Sequence, residues 1–80
     1  MYLSLGEMIR TLRLRQGLSQ AELARRATLS RNEISLSERD ATHLELRTLQ
    51  RIAEALGYRL VVSFGLVGSE QPAAEETQDA

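Results

Sequence analysis

Apolar residues return along this chain at helical spacing, and each run is framed by residues that start or stop helices. Leu5, Met8, Ile9 and Leu12 fall at i, i+3, i+4 and i+7, one stripe of a helix predicted from about Leu5 to Gln16. Arg13 and Arg15 suit the negative end of its dipole, and Gly17 supplies a left-handed turn to end it. The run Ser19-Gln-Ala-Glu22 is a capping box. Leu18 before the cap and Leu23 inside the helix form a hydrophobic staple, so a second helix begins at Ser19 and ends near Ala27. The same device returns eleven residues later: Ser30-Arg-Asn-Glu33 is a box, and Leu29 with Ile34 is a staple. Two short capped helices joined by about three residues, Thr28 to Ser30, must turn sharply on each other, which is helix-turn-helix geometry. After a loop over about Asp40 to Glu45, Leu46, Leu49, Ile52, Ala53 and Leu56 predict a fourth helix, closed by Gly57.

Beyond Gly57 the period changes from helix to strand. Tyr58, Leu60, Val62 and Phe64 alternate with Arg59, Val61 and Ser63. No second strand pattern exists in the chain to pair with it. A lone strand exposes a row of backbone donors and acceptors, and the simplest closed solution is the same segment of a second copy across a two-fold axis. The expected architecture is therefore mainly α. Four or five helices form a helix-turn-helix domain over residues 1–66, with one C-terminal β-strand (58–64) pairing across a homodimer. Tyr58, Leu60, Val62 and Phe64 would face the joined bodies.

The last twelve residues, from Ser69, have no large apolar side chain, one proline and four acids, so 67–80 is expected to be a disordered acidic tail. The formal net charge is −1. That number hides an asymmetry, because all ten basic residues are arginines between Arg10 and Arg59. Against seven acids they leave the body at +3, and the body favours a polyanion while the tail opposes it. There is no cysteine, so disulfides and thiolate metal sites are excluded. No run approaches the roughly 18 apolar residues of a membrane span, and the N-terminus lacks a basic-then-apolar export pattern. A cytoplasmic protein without membrane contact is expected. His43 is a lone loop histidine, and about 65 ordered residues leave little room for a concave pocket. Neither an enzyme nor a cofactor or metal is expected.

On a helical wheel Arg31, Asn32, Ser35, Leu36 and Arg39 share the outward face of the third helix, with Ile34 and Ser37 opposite. A bidentate donor, an amide, a hydroxyl and an apolar group are the residue types that read base edges in the major groove. Residues near the start of the second helix of such a unit are the ones that reach bases. The N–H groups at both capped starts suit phosphates.

The segments Leu5-Gly-Glu-Met-Ile-Arg-Thr-Leu-Arg13, Gly17-Leu-Ser-Gln-Ala-Glu-Leu-Ala24, Leu29-Ser-Arg31, Ile34-Ser35, Glu38-Arg39 and Leu46 to Gly57 resemble the XRE/Cro family of phage-repressor-type domains. The extension Gly57-Tyr-Arg-Leu-Val-Val-Ser-Phe64 is similar to that of HipB-type antitoxins, dimeric repressors that also bind a kinase-fold toxin. The resemblance implies base contacts from Arg31, Asn32 and Leu36 and a phosphate contact from Gln20; Ser35, on the same face, is expected to contact bases too, and Ser30 and Arg39 to contact phosphates. The resemblance also implies a structural salt bridge from Arg13 to Glu38, double-stranded operator DNA as partner, and a kinase-fold toxin as a second one. A stand-alone regulator and a protein-interaction module are the alternatives. The chain departs from the family at Thr28, where glycine is usual, at Asp40, and at Leu36-Ser37, where the usual polar-then-apolar order is reversed. Leu36 then either meets a thymine methyl or is repacked into the core.

Overall fold

The structure, a computed structural model, describes residues 3–68; the tail from Ser69 onward lies outside them. Four helices follow in order: α1 (Leu5–Arg15), α2 (Gln20–Ala27), α3 (Arg31–Arg39) and α4 (Leu46–Ala55). The capping boxes are all closed. Ser19 Oγ accepts from Glu22 N–H at 3.0 Å, and Ser19 N–H donates to Glu22 Oε1 at 2.7 Å. Ser30 and Glu33 do the same at 3.1 and 2.8 Å. A third box, Ser4 with Glu7, opens α1 by the same S-x-x-E spacing. Each box gives side-chain acceptors to two backbone N–H groups that a bare helix start leaves free. Glu45, the N-cap of α4, makes no such bond.

Gly17 and Gly57 take positive φ, +70° and +88°, after α1 and α4. Thr28 does so after α2, with φ 59° and ψ 45°. A β-branched residue is crowded in that region, because Cβ meets the following carbonyl. The turn between α2 and α3 thus has its sharp angle without glycine. Its left-handed bend lets Leu29 N–H donate to Ala24 O at 2.9 Å.

The core forms where α2 packs on α3 and α4 while α1 packs on α3. Ile9, Leu18, Leu23, Ala24, Ile34, Ile52 and Leu56 are buried together, with Leu12, Leu29, Leu44, Leu49 and Ala55 against them. Both staples place their residues in or against this cluster. The face that α1 buries is rotated from its apolar stripe: Gly6, Ile9 and Arg13 are buried, whereas Leu5 and Met8 are exposed. The cause is Gly6. A Cβ there would fall on the carbonyl oxygen of Glu38 and stand 2.9 Å from that of Ser37. The bare glycine lets the start of α1 lie directly on the last turn of α3.

The segment after α4 stands without the partner strand it was expected to pair with, and of the two alternatives for Leu36 the exposed one holds. Residues 58–64 form no strand in the single chain, and among the described residues there is none. A strand exists only through a ladder to a neighbour, and one copy offers no neighbour. Leu36 is not repacked into the core: it is 46% exposed, while Ser37 behind it is 1% exposed. Ser37 keeps its hydroxyl satisfied by donating to the Glu33 carbonyl at 2.7 Å. No helix among the described residues is long and apolar enough to cross a membrane.

Candidate nucleic-acid interface

The amphipathic pattern of α3 sets its orientation. Ile34 and Ser37 anchor it to the core. The opposite face then carries Arg31 and Asn32, both exposed, and the half-buried Ser35. Ser30 caps the helix just before them, so both side chains sit in its first turn, beside the backbone N–H groups of the helix start. Gln20, first residue of α2, approaches from the neighbouring helix start. Together Gln20, Arg31, Asn32 and Ser35 line one shallow cleft of about 330 Å³.

The other candidate residues lie apart from that cleft. Leu36 borders a second depression, of about 320 Å³, with Ser37, Asp40, Leu44 and Thr48 among its walls. Arg39 is exposed at the far end of α3, beside Ser4, Leu5 and Gly6 of α1. Ser30 has its Oγ occupied as an acceptor from Glu33 N–H, so its hydroxyl proton is what it has left to offer. Tyr58, Val62 and Phe64 are exposed and Leu60 half-buried, on the segment that follows α4.

Beneath the cleft lies a polar cluster. The Arg13 guanidinium meets the Glu38 carboxylate with two nearly parallel bonds, Nε to Oε2 at 2.6 Å and Nη2 to Oε1 at 3.0 Å. Its remaining nitrogen, Nη1, donates to the Leu18 carbonyl at 2.9 Å. The fork geometry ties α1 to α3 and to the turn before α2. Gln20 Nε2 also donates to Glu38 Oε1, at 3.2 Å. Sequence spacing carries no sign of that bond, since Gln20 and Glu38 are eighteen positions apart. The same holds for Gln16, whose amide donates to the Leu56 carbonyl at 2.7 Å and closes the end of α4 from α1.

The electrostatics of the two helix starts follow from their caps. Hydrogen bonds from Ser19, the backbone one foremost, hold the Glu22 carboxyl below the usual glutamate range. Ser30 does the same for Glu33. Hydrogen bonds from Thr42 lower Asp40 in the loop after α3. Among the residues lining the cleft, Arg31 carries the charge.

Residues 9–62 match a family model described as helix-turn-helix. A curated relative is the immunity repressor protein of Bacillus phage phi105, 35% identical over 74 residues, which are 92% of this chain. The chain spans about half (49%) of that relative's length. Among solved structures, the wild-type restriction-modification controller protein C.Esp1396I superposes with a TM-score of 0.63 at 31% identity, covering 68% of this chain and 70% of that one. SinR, master regulator for biofilm formation, solved in complex with DNA, gives 0.64 at 27% identity, covering 69% and 89%. The matched span contains the capped α2–α3 unit and its cleft, and the chain belongs to the XRE-type helix-turn-helix family.

Proposed function

We propose that this chain is a sequence-specific DNA-binding transcriptional repressor that acts as a homodimer on a palindromic operator. The observation that carries the reading is the cleft at the starts of α2 and α3, where Gln20, Arg31, Asn32 and Ser35 converge. In this reading Arg31 pairs with a guanine edge and Asn32 with an adenine edge, and Leu36 packs on a thymine methyl. Gln20, Ser30 and Arg39 hold phosphates and fix the register. The similarity to a phage immunity repressor and to a regulator solved with DNA supports it.

The dimer half of the proposal rests on Tyr58 to Phe64. Paired with its copy, the segment forms a two-stranded lid with Tyr58, Leu60, Val62 and Phe64 inward. Such a dimer sets two recognition helices about 34 Å apart, one turn of DNA. A narrower reading makes the protein the antitoxin of a HipBA-like operon that also binds a kinase-fold toxin. Its support is the likeness of Gly57 to Phe64 to HipB-type extensions.

A gel shift with the DNA upstream of the protein's own gene tests the proposal. Arg31→Ala and Asn32→Ala should each cost about 1–3 kcal/mol on the operator while leaving non-specific binding nearly intact. Affinity should fall steeply with salt, because phosphate contacts release counterions. A flat salt response would sink the DNA-binding reading in favour of a protein-interaction module. The antitoxin reading stands on a supershift by the product of an adjacent toxin gene, and falls if the operator complex ignores that product.

A further inference from the structure

The Arg13–Glu38 pair is nearly closed to solvent, with side chains 9% and 5% exposed. Its demands are met internally. Both carboxylate oxygens accept from Arg13, and the last guanidinium nitrogen donates to Leu18. Yet Glu38 Oε1 accepts one bond more, from Gln20 Nε2. Gln20 is half-buried, with part of its side chain in the wall of the cleft it shares with Arg31 and Asn32.

An ionised carboxylate only accepts, whereas an amide has one end that donates and one that accepts. The bond to Glu38 is therefore possible in one of the two amide flips. In the other, Gln20 Oε1 would meet a carboxylate oxygen and be repelled. The permitted flip keeps Nε2 beside α3 with one N–H still unspent. A phosphate oxygen accepts and does not donate, so that N–H is the part of the amide it can use. A freely turning glutamine would offer its carbonyl part of the time and lose rotamer entropy on binding. A bare carboxylate next to a phosphate would repel it, but the paired Arg13 cancels that charge.

We propose that Glu38, besides pairing with Arg13, is a positioning residue for DNA binding: it locks the Gln20 amide in the orientation that donates to the DNA backbone. The inference rests on the phosphate contact proposed above for Gln20. It makes the phosphate clamp depend on a buried ion pair, so α1, α2 and α3 must be docked before the clamp is set.

The test has a part without DNA and a part with it. In the free protein, side-chain relaxation by NMR should show the Gln20 amide nearly as rigid as the backbone, with an order parameter near ~0.85. A value below about 0.6, that of a flexible group, would overturn the proposal without any variant. With operator DNA, Gln20→Ala should weaken binding about tenfold in the parent protein, the size expected for one hydrogen bond to a charged group. In a Glu38→Gln background, where the flip is no longer dictated, the same change should cost less than about threefold, the two residues being coupled. An equal tenfold loss in both backgrounds, with thermal melting showing both folded, leaves Glu38 a purely structural role and overturns the inference alone. Failure of Gln20→Ala to weaken binding in the parent removes the phosphate contact itself, and the inference with it.

Discussion

In residues 4–57 apolar side chains from all four helices close one shared core, in which Leu23, Ile34 and Ile52 are shut off from solvent, while Leu5, Met8, Leu14, Leu36 and Leu46 stay exposed around it. In residues 58–67, Val62, Phe64 and Leu66 stand 58%, 87% and 68% exposed with comparable hydrophobicity. The polar groups divide the same way. Among the described residues no buried side-chain nitrogen or oxygen of the body lacks a partner, whereas the backbone of 59–66 has no ladder to join. The body meets its needs within one chain, and the segment after it does not. A domain this small buries a modest fraction of its surface, and an exposed apolar segment beside it is where a second copy gains most. In the dimer proposed above, folding of the monomer and assembly fall to separate stretches of sequence, and mutations should separate them too.

The largest effect should come from the body. Gly6→Ala drives a Cβ into the Glu38 carbonyl, so backbone rather than a flexible side chain must move. A loss of about 3 kcal/mol is expected, at the upper end of overpacking costs. Urea unfolding of dilute protein measures it, and a change within about 0.5 kcal/mol would mean α1 does not lie on α3 as described.

Val62→Asp should do the reverse, leaving the dilute monomer as stable as the parent while weakening dimerisation by roughly a hundredfold through a charge in the paired face. Sedimentation across a concentration series reads the assembly. If the parent itself is monomeric at micromolar concentration, the segment does not pair and the contrast between the two regions loses its meaning.

Thr28→Gly sharpens the account of the body. It relieves a β-branched residue at φ 59° at the cost of a looser unfolded chain, and a net gain of about 1 kcal/mol is expected. A lower melting temperature would show that Thr28 contributes something its backbone angle does not suggest.

The smallest effect is that of acid. Glu22 and Glu33 have folded pKa values below the ordinary glutamate range because Ser19 and Ser30 hydrogen-bond their charged forms. Their contribution is present above that range, about pH 4.3, and lost as pH falls through the lowered values. Glu33→Gln, which removes the titrating carboxyl that the Ser30 backbone N–H holds charged, should therefore flatten the decline in melting temperature below about pH 4.3 and leave residues 58–64 untouched. Unchanged steepness would place the acid sensitivity elsewhere.

The helices and their starts were legible in the sequence because the signals are local. A serine three positions before a glutamate closes its own box, and an apolar residue on either side of the cap finds its mate within one turn. The order of the elements, the sharp α2–α3 turn and the outward face of α3 all follow from contacts a few residues long. Ser4 and Glu7 carry the same spacing as the other boxes and open α1 in the same way. What only the tertiary structure decided depends on pairs far apart in the chain. The face that α1 buries was set by Gly6 meeting the end of α3, not by where its leucines lie. Between the two places open to Leu36, the docking of α3 decided for the exposed one, with Ser37 buried behind it. The link from Gln20 to Glu38 exists because docking of α2 on α3 brings two side chains together that no periodicity relates. Local propensity acts over a turn and can be read from a string of residues. Close packing is a condition on the whole body at once, and it appears only when the helices are in place.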